Sequence, residues 1–397
     1  MTRMVVRPEN PHQARLLRLL RDEGPRSRAE LGDAVELSKS KLAVELDRLT
    51  ALGVVETGGL AASRGGRRSS IVRIASRLRF VGIDIGATSI DVAVTDGELA
   101  ILGRLSEPMD VREGPQPVLD RALEMLAKLR DQGLAPEIHG AGVGVPGPVS
   151  FRDGAPFAPP IMPGWDKFPV REVVGQALGC SVLVDNDVNI MALGEHHAGL
   201  ARSVDDFLFV KIGTGIGCGI FVDGRVHRGV TGSAGDIGHI SVEEYGPTCA
   251  CGNSGCLEAF FGGSALARDA TQAARAGRSA YLAQRLSDAG SLTAVDVAHA
   301  AASGDPVAVS LVRDGGRRVG QVLAGLVSFF NPALIVIGGG VAGVGHALLA
   351  EIRGVVYRRS LPLATGNLPI VLSELGDEAG VTGAARMISD HVFHVSA

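Results

Sequence analysis

The chain has 397 residues, 46% of them hydrophobic, which predicts two or three folded domains and excludes a disordered chain. No run of about 18 apolar residues and no signal-peptide pattern occurs, so we expect a cytoplasmic protein that does not enter a membrane. Residues 1–79 contain 16 Lys and Arg against 9 Asp and Glu, although the whole chain carries a net charge of −4. A basic head on an acidic body predicts that the head contacts a polyanion.

The first 78 residues are predicted to form a winged helix-turn-helix. Helical signals cover residues 12–21, a segment that follows Ser27 and runs through Val35, and residues 39 to about 52. Two strand-like runs follow at residues 54–56 and 71–74, and a glycine- and arginine-rich stretch between them resembles a hairpin wing. A short helix, a tight turn and a capped helix are typical of a helix-turn-helix.

Residues at two places in this head are candidates for DNA contacts. The start of the third helix would lie in the major groove, where base and phosphate contacts are usually made, and arginines at the wing tip would enter the minor groove. The candidates are Ser38, Lys39, Ser40, Lys41, Arg64, Arg67 and Arg68. A three-helix interaction domain with a solvated basic linker is the alternative, but the charge balance favours double-stranded DNA.

From Phe80 onward the sequence becomes glycine-rich α/β and contains two similar strand–turn–strand units. The turns carry Asp84, Gly86 and Thr88 in the first unit and Gly213, Thr214 and Gly215 in the second. Amides in such turns can bind a phosphate, and Asp84 can hold Mg²⁺ through water. A third glycine turn, at Gly339, would approach an adenine ring or ribose, although it could equally be a plain strand–helix turn. Two such units predict two lobes of one fold around a shared cleft.

Between these units, a predicted strand ends in Asn186 and Asp187. A carboxylate at such a strand end is well placed to act as general base on a substrate hydroxyl. Asn186 can bind or orient neighbouring polar groups. The alternative is a cluster that caps the following helix, and capping can coexist with catalysis.

Three of the five cysteines, Cys249, Cys251 and Cys256, fall within eight residues. Zinc binds four tetrahedral N or S ligands, and His239 is the nearest histidine that can complete the set. With four protein ligands the predicted Zn²⁺ is structural rather than catalytic. Polar residues suited to sugar hydroxyls flank this knuckle: Asp236, His239 and Glu258.

Five motifs together resemble the ROK family (repressors, open reading frames and sugar kinases) over about residues 80–390. They are Asp84-x-Gly86-x-Thr88, residues 142–149, Asn186-Asp187-x-Asn189, Gly235-x-x-Gly238-His239 and Cys249-x-Cys251-Gly252-x-x-Gly255-Cys256-x-Glu258. The basic winged head is similar to that of the family's repressor branch, which represses sugar-utilisation genes.

The resemblance implies an α/β, two-lobed actin/hexokinase-like (ribonuclease H-like) ATPase fold with a zinc knuckle. It implies Asp187 as the base that activates a sugar hydroxyl, and sugar contacts by Asn186, Asp236, His239 and Glu258. It also implies ATP phosphate loops at residues 84–88 and 213–215, and dimers or tetramers. The predicted domains are residues 1–78, a small lobe at 79–190 to which a C-terminal helix at 380–397 returns, and a larger lobe at 191–379 with the zinc site.

Two departures from the family pattern affect the predicted ligands. Asp236 is one methylene shorter than the family's sugar-binding glutamate, and Ala87 and Ser89 replace a glycine and a Lys or Asn in the first phosphate loop. The sequence thus predicts a regulator, in particular a repressor, that responds to a sugar or sugar phosphate. The alternative is an ATP- and Mg²⁺-dependent sugar kinase with an added DNA-binding head, or both activities in one chain.

Overall fold

The structure is a computed structural model that describes residues 7–60 and 70–395. Its N-terminal elements are α1 (Pro11–Glu23), β1 (Arg26–Ser27), α2 (Arg28–Val35), α3 (Lys39–Ala51), β2 (Val55–Leu60) and β3 (Ser70–Ile74). The three strands form one antiparallel sheet in the order β1-β3-β2. The helices lie where the leucine spacing predicts them, whereas the two-residue strand β1 was not predicted. A strand of two residues is too short to show an alternating apolar and polar pattern in the sequence. It is recognised only by its pairing with β3.

Side-chain caps explain where α2 and α3 begin. The Ser27 hydroxyl accepts a hydrogen bond from the Glu30 N–H, and the Glu30 carboxylate accepts one from the Ser27 N–H, so the predicted capping box is present. Glu36 ends α2 in the left-handed conformation, with φ 58°. The Ser38 hydroxyl then accepts a hydrogen bond from the Lys41 N–H at 3.4 Å and starts α3. A turn of three residues therefore separates the two helices.

The next elements build a five-stranded sheet in the order β10-β7-β4-β5-β6. They are β4 (Phe80–Ile85), β5 (Ser89–Thr95), β6 (Ile101–Pro108), α4 (Pro115–Asp131), β7 (Gly140–Val145), β8 (Val149–Ser150), β9 (Ala155–Pro156), α5 (Val170–Leu178), β10 (Val182–Asn186) and α6 (Asp187–Ala198). β4, β7 and β10 run parallel, and β5 and β6 add antiparallel. Aliphatic side chains of this sheet and of α4 and α5 form one buried core.

A second five-stranded sheet, in the order β13-β12-β11-β14-β15, repeats this plan. Its elements are β11 (Phe207–Ile212), β12 (Ile216–Val222), β13 (Arg225–Val226), α7 (Leu257–Phe261), α8 (Gly263–Arg275), α9 (Ala280–Ala289), α10 (Ala294–Ala302), α11 (Pro306–Phe330), β14 (Leu334–Gly338), α12 (His346–Arg359), α13 (Pro362–Thr365) and β15 (Ile370–Leu372), and α14 (Glu378–Val392) follows them. As in the first sheet, three strands pair in parallel, here β11, β14 and β15. The other two, β12 and β13, extend the sheet through antiparallel pairings. Among the described helices, none combines the length and apolar character needed to cross a membrane.

The last helix, α14, returns to the first five-stranded sheet and falls on the segment predicted as a C-terminal helix. Glycines bring its backbone against β7 and α6. A Cβ on Gly142 of β7 would lie 1.9 Å from the Ala384 carbonyl oxygen, and one on Gly383 would lie 1.6 Å from that of Ile190 in α6. Because no side chain fits between these backbones, α6 and α14 are packed as one unit against the sheet.

The other end of α14 holds the N-terminal head through the buried side chain of Arg21, on α1. Its guanidinium contacts Asp390 at 2.8 Å and Asp22 at 2.7 Å, and it donates to the Ser389 hydroxyl at 3.0 Å. The same guanidinium lies over the ring of Phe393, 5.7 Å from the centroid. The guanidinium is buried, whereas its carboxylate partners are 34% and 39% exposed. A buried cation must keep its hydrogen-bond partners, so these contacts help to determine how the head sits on the body.

A second arginine, Arg386, completes this contact, which we call the head–body joint. It bonds Asp22 at 2.9 Å and Asp390 at 3.0 Å, and it donates to Nδ1 of His197, near the end of α6, at 2.9 Å. The joint therefore connects α1 of the head with the C-terminal parts of both α6 and α14.

Acid is expected to weaken the joint through His197. Burial, reinforced by the Arg386 guanidinium, lowers the pKa of His197 from 6.5 to about 4. Between these values the unfolded chain binds more protons than the folded chain, so acidification favours unfolding. From about pH 7 to about pH 5, the wild type should lose about 2 kcal/mol more of its free energy of unfolding than His197→Gln, which keeps an acceptor for Arg386. Urea denaturation at both pH values measures this difference, and equal losses would contradict it.

Candidate functional site

A cleft of about 610 Å³ opens between the two five-stranded sheets. It is lined by all the residues predicted to contact a sugar or a nucleotide: Asp84, Gly86, Thr88, Asn186, Asp187, Gly213, Thr214, Gly215, Asp236, His239, Glu258 and Gly339. They reach the cleft from the ends of β4, β10, β11 and β14 and from the loops that follow β12. Ligand sites of α/β proteins commonly lie at such strand ends.

Main-chain atoms of the second glycine turn (residues 213–215) and of Gly339 line one wall of the cleft. The Gly213 N–H donates to the Gly215 carbonyl at 2.8 Å, and the Gly263 N–H, at the start of α8, donates to the Gly213 carbonyl at 2.7 Å. Gly339 has φ +88°, and a Cβ there would lie 2.6 Å from the Ile212 carbonyl oxygen. A side chain at Gly339 would therefore strain the turn, and this wall suits a flat ring or a phosphate.

The first glycine turn is held against the small helical segment that follows β6. The Gly86 N–H donates to the Ser89 carbonyl at 2.8 Å, and the Ala87 carbonyl accepts from the Val111 N–H at 3.1 Å. The Ala87 side chain, where the family pattern has glycine, packs against the first lobe's core and also lines the cleft. The loop is closed and fixed, and its extra methyl occupies the edge of the space available to a phosphate.

Asn186 and Asp187 lie at the junction of β10 and α6. The Asn186 side chain accepts from the Val188 N–H at 2.9 Å and donates to the Gly147 carbonyl at 2.9 Å. Asn186 therefore caps α6, which is the alternative that the sequence left open, and it also faces the cleft. Asp187 is the first residue of α6, and its side chain is 6% exposed. Its carboxylate is thus largely shielded from water but reachable from the cleft.

The strongest partner of Asp187 is Lys211, which the sequence argument missed. Lys211 lies on β11 and donates to Asp187 Oδ2 at 2.5 Å, with its side chain 19% exposed. The pKa of Lys211 lies above its ordinary value: burial alone would lower it, but the charges of Asp187 and Asp84 more than offset that. A signal was present, since this Lys interrupts the otherwise apolar strand Phe207–Ile212, and a buried Lys requires a partner.

Asp84, at the end of β4, is half-buried at the wall of the cleft, against the backbone of α14. Its Oδ1 atom has no hydrogen-bond partner within the described part of the chain, and a Cβ on Gly380 of α14 would lie 1.9 Å from Oδ2. Burial raises the pKa of Asp84 to about 7, while the Lys211 ammonium acts in the opposite direction. An orphan carboxylate oxygen suits a water ligand of Mg²⁺, whereas the neighbouring ammonium repels a divalent cation. The residues around Asp84 therefore fit Mg²⁺ poorly.

Cys249, Cys251, Cys256 and His239 bring their ligand atoms within 4.8 Å of one another. The Cys251 and Cys256 sulfurs are 3.8 Å apart, and Cys249 Sγ lies 3.4 Å from His239 Nδ1. A zinc ion about 2.3 Å from each sulfur would require nearly the same sulfur separation. The loop can adopt this shape because Gly255 has φ +74° and approaches the Glu243 carbonyl too closely for any Cβ. The four residues fit a closed tetrahedral Zn²⁺ site.

His239 connects this knuckle with the cleft. Its Nδ1 faces the cysteine sulfurs, and its Nε2 lies 3.9 Å from Asp236 Oδ1 at the cleft. Glu258, two residues after Cys256, accepts from the Ile216 N–H at 3.0 Å and so also fixes the start of β12. Burial raises the pKa of Glu258, and the Ile216 hydrogen bond opposes that rise. Two carboxylates and an imidazole therefore form an edge that can bind several hydroxyl groups.

The four candidate DNA contacts at the start of α3 are all exposed: Ser38, Lys39, Ser40 and Lys41. The opposite face of α3 buries Leu42, Leu46 and Leu49 in the head's core. Neither Lys39 nor Lys41 forms an ion pair with another described residue, so both charges point to solvent. The other candidates, Arg64, Arg67 and Arg68, lie outside the described residues.

Comparison with known proteins gives three kinds of relative. A model of the ROK family matches residues 80–391. The xylose repressor of Caldicellulosiruptor bescii is 29% identical over 377 residues, covering 94% of each chain. The crystal structure of a ROK family transcriptional regulator, a homologue of the E. coli MLC protein, has a TM-score of 0.80 at 27% identity and covers 96% of this chain and 95% of that one. A ROK family glucokinase from Streptomyces griseus, in complex with glucose and AMPPNP, has a TM-score of 0.68 at 32% identity and covers 78% of this chain and 99% of the glucokinase.

Proposed function

The chain belongs to the ROK family, and from this premise we propose that it is a DNA-binding transcription regulator that responds to a sugar. We infer a repressor of carbohydrate-utilisation genes, with the effector, a sugar or sugar phosphate, in the interlobe cleft. The observation that carries the proposal is the head–body joint, because it links an exposed basic helix to that cleft within one chain. The two regulators compared above match the head as well as the body, whereas the glucokinase leaves about a fifth of this chain unmatched.

The head's role is to bind double-stranded DNA. Its three helices and three-stranded sheet have the elements of a winged helix-turn-helix, in which α3 would enter the major groove. The exposed ammonium groups of Lys39 and Lys41 at the start of α3, which pair with no carboxylate among the described residues, are suited to phosphates and base edges. We propose Arg64, Arg67 and Arg68, which lie outside the described residues, as further DNA contacts. A homodimer or homotetramer would present two such heads to an operator with two half-sites.

The route from effector to DNA runs along α6 and α14. Asp187, the first residue of α6, and Asp377, just before α14, both line the cleft. Further along the two helices, Arg386 of α14 bonds both His197, near the end of α6, and Asp22 of the head. Helices of 12 and 15 residues span roughly 20 Å, so a small change in the cleft can move the head without local unfolding. A sugar that favours one arrangement of the lobes would thereby shift the population of DNA-competent heads.

Within the cleft we assign the sugar to Asn186, Asp236, His239 and Glu258, and a structural Zn²⁺ to the knuckle. The domain bounds proposed are residues 1–78 for the head, 79–190 with the C-terminal helix for the small lobe, and 191–379 for the large lobe. Because His239 faces both the cysteines and Asp236, the metal would hold a sugar-binding residue in place. Zinc removal would then affect effector binding as well as stability.

A second candidate function is an ATP-dependent sugar kinase. The glycine turns at residues 86–88 and 213–215 and the Asp187 carboxylate in the same cleft favour it. The ion pair of Asp187 with Lys211 weighs against it, since a general base must be free to accept a proton. Consumption of ATP over a panel of sugars, compared with Asp187→Asn, distinguishes the two functions.

Charge removal at the start of α3 is expected to weaken DNA binding. In Lys39→Ala/Lys41→Ala, the affinity for DNA from upstream of the chain's own gene should fall about 10- to 100-fold, because each lysine contributes a phosphate or base contact. The slope of log affinity against log salt should also decrease by about 2. Fluorescence anisotropy at several salt concentrations measures both effects. Lys128→Ala, an exposed lysine on α4, is the control, and an unchanged salt slope in the double variant would show that α3 does not touch DNA.

A further inference from the structure

Lys211 is the one charged residue on β11, whose other side chains are apolar. The strand runs through the middle of the second sheet, between β12 and β14. From there the lysine side chain reaches the cleft and pairs with Asp187 of the opposite lobe. It is therefore a contact across the cleft, built from one residue of each lobe.

Two nearby carboxyl groups favour the protonated form of Lys211. Asp187 and Asp84 both attract the ammonium, and together they hold the pKa of Lys211 above its ordinary value despite burial. The Asp84 Oδ1 atom has no partner within the described residues, so the ammonium compensates Asp187 and is the main charge that favours the ionised form of Asp84. Two carboxylates beside a phosphate-binding turn would otherwise be the natural ligands of a divalent metal ion.

We propose that Lys211 is a resident cation of the cleft, which occupies the place beside Asp84 and Asp187 that a divalent metal would need. The ammonium also keeps Asp187 in an ion pair, so the carboxylate does not act as a general base. The cleft then binds its sugar without Mg²⁺ and without transferring a phosphoryl group. This inference rests on the proposed function in assuming that the cleft binds a sugar.

The pairing suits a sugar hydroxyl as a ligand. A hydroxyl group donates one hydrogen bond and accepts others. It can therefore donate to Asp187 while accepting from the remaining N–H groups of Lys211, and both partners keep their charges compensated. The residue that a kinase would use for chemistry thus becomes a residue for recognition.

The test uses Mg²⁺ alone as the probe and the melting temperature of the full chain as the readout. The wild type should show no shift on addition of millimolar Mg²⁺. Lys211→Met removes the resident cation and frees two carboxylates, so Mg²⁺ should raise its melting temperature by roughly 5 °C. Lys128→Met, which alters an exposed lysine paired with Glu107, should behave as the wild type. A wild type stabilised by Mg²⁺, or a folded Lys211→Met protein that does not respond, would overturn the proposal.

If Lys211→Met does not fold, Mn²⁺ binding to the wild type, measured by electron paramagnetic resonance, still tests whether a divalent ion binds in the cleft. No bound Mn²⁺ supports a resident cation, whereas one Mn²⁺ per chain that is lost in Asp187→Asn overturns it. ATP consumption by the wild type in the presence of sugars should equal that of Asp187→Asn, and a wild-type excess would also overturn it. A panel of sugars that leaves the wild-type melting temperature unchanged would instead contradict sugar binding, so the two failures are distinguishable.

Discussion

A Cys256→Ala chain is expected to purify without zinc and to unfold at a clearly lower temperature than the wild type. Three sulfurs and one imidazole nitrogen converge within 4.8 Å, so removal of one thiolate opens the coordination sphere. Backbone hydrogen bonds also hold the surrounding loop, among them the 2.8 Å bond from the Cys249 N–H to the Asn253 carbonyl, so the variant should still fold. Loss of a structural metal should cost about 3 kcal/mol, or roughly 10 °C in melting temperature. Metal analysis and thermal unfolding measure the two effects.

Cys180→Ala is the matched control for this prediction, because Cys180 lies just after α5, in the first lobe and outside the knuckle. It should retain one zinc ion per chain and nearly the wild-type melting temperature. Wild-type protein without zinc, or Cys256→Ala with a full complement of zinc, would contradict the assignment. Cys251→Ala tests the link to the cleft: a protein that folds but no longer responds to the sugar supports it, and a normal response leaves the zinc purely structural.

Arg21→Ala is expected to destabilise the head and to uncouple DNA binding from the effector. Arg21 is 3% exposed, and its loss leaves Asp22 and Asp390 with only Arg386 to compensate them. Because the two carboxylates are 34% and 39% exposed and remain solvated, the cost is mainly that of the lost charged hydrogen bonds, about 2–3 kcal/mol. The head should therefore be cleaved by protease much faster than in the wild type. Residual DNA binding should no longer change when sugar is added.

Arg18→Ala, an exposed arginine one turn earlier on α1, provides the control. It should match the wild type in protease resistance and in its response to sugar. An Arg21→Ala chain that resists protease and releases DNA as the wild type does would show that the head–body joint carries no signal.

The sequence predicts the local parts of this molecule well because local chemistry determines them. The capping box of Ser27 and Glu30 places α2, and three closely spaced cysteines place the knuckle, since each pattern is complete within a few residues. The ROK resemblance then supplies the fold of the body, and the family match over residues 80–391 confirms it.

The contacts that the sequence did not predict join residues far apart in the chain. Lys211 pairs with Asp187 across two lobes, and Arg21 pairs with Asp390 across nearly the whole chain. Neither the hydrophobic periodicity nor the motif spacing of the sequence indicates which residues form such pairs. Each pair leaves one sign in the sequence, which is a charged residue within an apolar strand or helix face. The partner of that residue is identified only in the structure, where α14 and the two sheets pack together.

DNA binding measured with and without sugar tests the central claim most directly. Fluorescence anisotropy with DNA from upstream of the chain's own gene should show tight binding at low salt. A panel of pentoses, hexoses and their phosphates should contain at least one compound that weakens that binding about 10-fold or more, as expected for a coupling free energy of about 1.4 kcal/mol or greater. That compound should also raise the melting temperature of the chain. A chain that binds no DNA at low salt, or whose DNA affinity is the same with a sugar that demonstrably binds, would contradict the account.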